Sequence, residues 1–170
     1  MRDFEVPIVR PRRLRATPAL RRLGSETRLS PAELVLPLFV REGAGDPVRI
    51  SSMPGVVQHT LSSFPAALED AAAAGIGGVM LFGVPEHKDA RGSGAVDPAG
   101  ILNLATELAV TTVGDALVVQ TDLCLDEVTD HGHCGVLRPA TGPGTEVEID
   151  NDATLEVYRE MALAQANAGS

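Results

Sequence analysis

GIGGVMLFGV, residues 75–84, is the stretch on which the reading of the fold turns. Had its glycines followed a strand and opened a helix, they would suit the phosphate-cradling turn of a dinucleotide-binding fold. The order here is the reverse. Ser62 or Ser63 can cap a helix with Pro65 in its first turn, and the Ala-rich segment behind it runs through Ala74 to a stop at Gly75. GIGG therefore connects a helix to the apolar run GVMLFGV (78–84), which has the length and β-branched character of a buried strand.

Working outward, the same pattern recurs on both sides. LVLPLFV (34–40) is a short apolar run that predicts a strand buried on both faces, and REGAGDPVRISSMPGV (41–56) reads as the loop after it. Beyond the glycine-rich EHKDARGSGAVD, Asp97 as cap and Pro98 at the first helical position predict a second helix. Ile101, Leu104, Ala105 and Leu108 share one face of it, and Gly114 ends it. ALVVQTDL (116–123) predicts a third strand. Asn151 or Asp152 caps a third helix that runs to about Ala168, with Leu155, Tyr158 and Ala162 at helical spacing and Gly169 as terminator. Three strand-then-helix units in succession imply an α/β fold with a parallel sheet and right-handed crossovers. A spacing of about 40 residues per unit suits a doubly wound sheet or part of a (β/α)8 barrel.

The chain has 170 residues, 44% of them hydrophobic, enough for one domain with its own core. No apolar run approaches a membrane span, and the opening MRDFEVPIVRPRR lacks the apolar stretch of a secretory signal, so the expectation is a cytoplasmic protein without a membrane partner. The net charge of −9 is unevenly spread: residues 1–28 carry eight Arg against three acids, and residues 29–170 carry six basic residues against twenty acids. An anionic body repels phosphates, and the arm offers only Phe4 for stacking, which argues against nucleic acid. A basic arm over residues 1–30 that lies along the acidic body (31–170) of a neighbouring subunit fits the asymmetry, with a solvated tail as the competing reading.

Chemistry concentrates in TDLCLDEVTDHGHCG, residues 121–135, where four acids, two histidines and both cysteines of the chain fall within fifteen positions. This loop begins at the C-terminal end of the third strand, the end at which both candidate folds place function. Cys124 and Asp126, two apart, project to one side of an extended chain, and the loop that follows can return Cys134 to them. Two thiolates and a carboxylate could hold a divalent metal with one position open. Two other readings stand beside it: a structural loop with small buried thiols, and a Cys124–His131 nucleophilic pair.

TDLCLDEVTDHGHCGVL resembles the metal-binding segment of the porphobilinogen synthase (5-aminolevulinate dehydratase) family. RPRRLR, LVLPLFV, the MPGV turn, LFGVPEHKDARGS and NDATLEVYREMALAQANAG resemble that family in the same order, from about residue 8 onward. The resemblance implies the N-terminal part of a (β/α)8 TIM barrel, ending after about three βα units. It also implies an extended arm that wraps a neighbouring subunit of a homo-oligomer, usually an octamer. The activity implied is condensation of two molecules of 5-aminolevulinate to porphobilinogen in tetrapyrrole and haem biosynthesis, with Asp122 matching an active-site aspartate that assists proton transfer.

For the metal, the resemblance implies Cys124, Asp126 and Cys134 as ligands. Zinc-dependent members carry cysteine at all three positions, and members that dispense with zinc carry Ala or Asp in place of the cysteines. Cys-Asp-Cys is mixed, and a carboxylate holds zinc less firmly than a thiolate, so a weaker or less selective zinc site is expected. Some relatives also bind an allosteric magnesium. The family forms Schiff bases through two lysines in its second half, whereas the one lysine here, Lys88, matches a different segment and reads as a loop residue. Residues 1–170 alone are therefore expected to be inactive, either as part of a longer synthase or as a non-catalytic metal-binding or assembly remnant.

Overall fold

The structure is a computed structural model that describes residues 12–138 and 147–170. The chain divides into two units, Met1–Ser30 and Pro31–Ser170. Of the first unit, residues 1–11, including the start of RPRRLR, lie outside the described residues. Its described part holds a 3₁₀ turn, Arg13–Arg15, and a short helix α1, Pro18–Leu23. Pro18 opens α1, and the Thr17 side chain accepts from the Leu20 amide at 3.1 Å, satisfying one of the amides a helix start leaves open.

The second unit is built on one five-stranded mixed sheet: β1 (Val35–Arg41), β2 (Val48–Arg49), β3 (Val57–His59), β4 (Gly78–Val84) and β5 (Val118–Thr121), in the order β2-β3-β1-β4-β5. The three strands expected from the apolar runs are present and mutually parallel, with β1 beside β4 and β4 beside β5. The expectation of a plain loop after β1 needs correction. That segment contains β2, and β3 follows it, antiparallel to β2 and parallel to β1. Both are too short to carry a two-residue hydrophobic period, and they form because β1 offers an unpaired edge.

Helix α2 (Phe64–Ala73) leads into β4, and α3 (Ile101–Val113) leads into β5. Their inner faces and alternate residues of β1 and β4 make the main core, in which Val40, Phe64, Leu68, Val79, Leu81, Ala105 and Ala109 are fully buried. Burial of a side chain such as Leu68 or Phe64 contributes about 1.5–3 kcal/mol. Gly83 lets α3 approach β4: a Cβ there would meet the Leu102 Cβ at 2.7 Å. The opposite face of the sheet is only half covered. Phe39 and Phe82 stack on it with centroids 5.1 Å apart, and the first three residues of β1 are exposed, so the expectation of a strand buried on both faces needs correction: Leu38 and Val40 are buried on one face, while Phe39 and Arg41 on the other are only half-buried.

Two helix starts moved, and a third kept its place without the expected side-chain cap. Ser63 occupies the N-cap of α2, but its hydroxyl accepts from the Thr60 amide instead of capping. Asp97 does not cap α3. It forms a tight turn, accepting from the Ala99 amide, and the helix starts three residues beyond Pro98 with Gly100 as N-cap. The Asn103 side chain donates to the Asp97 carbonyl at 2.7 Å and fastens that turn to the helix. The last helix, α4 (Asn151–Ala168), is capped by Asp150, whose carboxylate accepts from the Ala153 amide. Its buried stripe is Thr154, Val157, Met161, Gln165 and Ala168; Leu155 and Ala162, expected on the inner face, are exposed, and Tyr158 is half-buried.

Candidate metal centre and the cavity beside it

β5 ends at Thr121, and the Asp122 amide still donates to the Leu81 carbonyl at 3.0 Å, so Asp122 is fixed at the C-terminal edge of the sheet. After it the chain alternates inward and outward. Leu125 is fully buried in a second small core with Ala95, Val128, Val157 and Met161, while Cys124 and Asp126 on either side of it face the loop's own interior. A single turn follows, with the Val128 and Thr129 amides donating to the Leu125 carbonyl. The buried Thr129 hydroxyl donates to the His133 carbonyl at 3.0 Å and turns the chain back.

The return brings Cys134 to the other two. One ligand atom from each of Cys124, Asp126 and Cys134 lies within 4.8 Å of the others. Gly135 makes this return feasible: a Cβ there would meet the Ile149 Cγ2 at 2.6 Å and the Thr154 Oγ1 at 2.8 Å. The Val136 amide donates to that same Thr154 hydroxyl, so the outgoing chain is pressed against the first turn of α4.

The donor set fits a divalent cation. Asp126 Oδ1 is buried and has no hydrogen-bond partner among the described residues, an arrangement that costs free energy unless something electropositive meets it. Burial, and then the side chain of Asp126, push the Cys124 thiol up to about 12. With no cation present the thiol keeps its proton; a cation among these donors would reverse that, because a thiolate is the ligating form. A Cys124–His131 nucleophilic pair is not assembled. His131 Nδ1 accepts from the His133 amide, and its Nε2 meets the Ala90 carbonyl at 3.2 Å.

A cavity of 260 Å³ opens beside Cys124, under the loop that joins β4 to α3. Asp122, Glu127, Glu42 and Asp97 line it together with Lys88, so the loop lysine read from sequence faces the same cavity as Asp122. Burial, with Asp126 adding to it, raises the Asp122 carboxyl above the ordinary carboxylate range. Glu127 is raised by the same causes, while Lys88 pulls it back. The two loops around the cavity are bridged: the Asp89 amide donates to the Val128 carbonyl, and the Asp130 amide to the Asp89 carbonyl.

Sequence reasoning missed two side chains of α4. Gln165, nearly fully buried, donates to the Asp122 carbonyl at 2.7 Å. Tyr158 Oη donates to the Cys134 carbonyl at 2.5 Å and lies 3.9 Å from Cys124 Sγ. Helical spacing put Tyr158 on a packing face; that it is the only tyrosine of the chain was the one available hint.

The fold and site define an α/β unit on a mixed sheet, with a thiol–carboxylate cluster and an aspartate beyond the C-terminal end of β5. The comparisons place it more narrowly. The family model described as delta-aminolevulinic acid dehydratase matches residues 8–170, and the chain belongs to that family. It is 57% identical to the delta-aminolevulinic acid dehydratase of Streptomyces coelicolor, over 96% of this chain and 48% of that protein. To that of Mycobacterium tuberculosis it is 52% identical, over 96% and 49%, and to that of Escherichia coli 42%, over 96% and 48%. Among solved structures it resembles the Toxoplasma gondii delta-aminolevulinic acid dehydratase (porphobilinogen synthase) in complex with its reaction product porphobilinogen. The TM-score is 0.85 at 31% identity, covering 96% of this chain and 46% of that one. The chain thus spans about half the length of the relatives it matches. Among the described residues no helix is long and apolar enough to cross a membrane.

Proposed function

We propose that these residues form the N-terminal part of a porphobilinogen synthase, a lyase that condenses two molecules of 5-aminolevulinate to porphobilinogen. The observation that carries the proposal is the placement of the Cys124, Asp126 and Cys134 donor atoms within 4.8 Å of one another, one turn of chain beyond Asp122 at the strand ends. Asp122 and its raised carboxyl suit proton transfer at the substrate, and the acid-rich cavity suits the ammonium group of an amino-ketone acid. Cys124, Asp126 and Cys134 would hold a divalent metal. We assign zinc, with weaker selectivity than a three-cysteine set because of Asp126. When bound, the zinc supplies Lewis acidity beside the cavity.

The wider architecture in this proposal is a (β/α)8 barrel. Val118 at the start of edge strand β5 is 61% exposed, and the Phe39–Phe82 face is half open, which is what a strand set lacking its remaining barrel neighbours leaves uncovered. Residues 1–30 form the arm that contacts a neighbouring subunit of a homo-oligomer, octameric by family, residues 31–170 form the partial barrel, and the enzyme works in the cytoplasm. The Schiff-base lysines belong to the half that these residues do not include, so the isolated chain does not turn over 5-aminolevulinate. Incubating the purified chain with 5-aminolevulinate and assaying porphobilinogen tests this. Turnover abolished by Asp122→Ala would overturn the claim of inactivity, and metal content unchanged by Cys134→Ala would overturn the ligand assignment.

A further inference from the structure

Cys134 is the exposed member of the cluster and lies on a loop, outside any helix or strand. A ligand on such a segment binds a cation well only if something outside the segment holds it in place beforehand. Thr129 holds the His133 carbonyl and Thr154 the Val136 amide, and among the described residues the side chain that reaches the Cys134 backbone itself is that of Tyr158. Tyr158 reaches from α4 to donate to the Cys134 carbonyl at 2.5 Å, and its Oη also contacts Cys124 Sγ at 3.9 Å. One hydroxyl thereby touches both thiol-bearing residues, which are ten positions apart in the chain.

α4 itself is well anchored. Met161, three residues on from Tyr158, is buried in the small core with Leu125, and Gln165, four further, donates to the Asp122 carbonyl. These spacings place the three side chains along one side of the helix, so the element that fixes Asp122 also fixes the cysteine loop. Tyrosine supplies what phenylalanine could not. The ring provides packing, and only the hydroxyl provides the tie to Cys134.

We propose that Tyr158 is a positioning residue for the Cys124–Asp126–Cys134 site: its hydroxyl sets the Cys134 backbone against Cys124 and so preorganises the pair for a divalent cation. This rests on the metal reading above and deepens it. Removing a supporting hydrogen bond of this kind lowers metal affinity by about 10–100-fold in protein sites.

The test is cobalt(II) titration of the chain, followed by the thiolate-to-cobalt absorption band, for the unaltered protein, Tyr158→Phe and Met161→Leu. Alkylation of Cys134 in the metal-free proteins, mapped by mass spectrometry, is the second readout. Tyr158→Phe is expected to keep its far-UV circular dichroism, bind cobalt about 10–100-fold more weakly and alkylate faster at Cys134. Met161→Leu, which alters packing but keeps the hydroxyl, should stay within about twofold of the unaltered affinity. Cobalt affinity of Tyr158→Phe within about twofold of the unaltered chain would overturn the inference while leaving the metal reading intact, whatever the alkylation rate. An equal loss in Met161→Leu would overturn it too, by reducing Tyr158 to packing. Absence of any thiolate-to-cobalt band in the unaltered chain would overturn the metal reading, and this inference with it.

Discussion

Leu125 stands between Cys124 and Asp126 and is fully buried among Ala95, Val128, Val157 and Met161, so shortening it tests whether packing holds the cluster. Leu125→Ala removes three carbons, worth about 0.8 kcal/mol each by transfer, a floor of about 2.4 kcal/mol. The space left between the loop and α4 adds a cavity penalty, which brings the expected loss to about 3–4 kcal/mol. For a chain of this size each kcal/mol moves the midpoint by about 2–4 °C, so Tm should fall by about 6–16 °C. Leu155→Ala, on the exposed side of α4, is the matched control and should stay within about 0.5 kcal/mol. Urea unfolding followed by circular dichroism gives both values. The loss should be accompanied by weaker metal binding, because the alternation Cys124–Leu125–Asp126 keeps both donors turned inward only while Leu125 is held. A Leu125→Ala loss under about 1 kcal/mol, or full loss with unchanged metal affinity, would refute the argument that this contact positions the site.

Three further outcomes follow from the same geometry. Gly135→Ala forces a methyl against Ile149 and Thr154 and is expected to destabilise by about 1–3 kcal/mol and to lower cation affinity, as read by thermal unfolding and metal titration. Cys124 in the metal-free chain holds its proton up to about 12, so cation binding must release it. Affinity should therefore fall as pH falls, with at least about one proton released per cation, measured by calorimetry in buffers of different ionisation enthalpy; pH-independent binding would contradict thiolate ligation. The Asp122 carboxyl is raised above its ordinary value by burial, so an unfolded chain ionises it first, and its contribution to stability declines as pH rises through the carboxylate range. Asp122→Asn should accordingly raise Tm at neutral pH, with the gain disappearing in acid where both states are protonated; an equal gain at both pH values would mean the charge is not its cause.

How much of this was legible beforehand depended on whether the signal was local. β4 was read to the residue because a helix stop, two small residues and an uninterrupted apolar run lie in one stretch. β2 and β3 were not, since segments of two and three residues have no period and are strands only by virtue of β1 lying alongside. The start of α3 was misplaced for a related reason. Asp97-Pro98 is as good a turn as it is a cap, and the choice between them was made by Asn103 reaching back to the Asp97 carbonyl.

The sequence by itself determined the alternation of three parallel strands with three helices, the uneven charge of residues 1–28 and 29–170, and the gathering of acids and thiols at one strand end, because each follows from neighbours along the chain. The tertiary structure decided which face of α4 points inward, choosing Thr154, Val157, Met161 and Gln165 over Leu155 and Ala162. That choice brings Tyr158 to Cys134 and Gln165 to Asp122, contacts that span 24 and 43 residues. No periodicity encodes such contacts. They exist because the small core under Leu125 has room for one stripe of the helix, and packing that stripe carries the polar side chains beside it to the site.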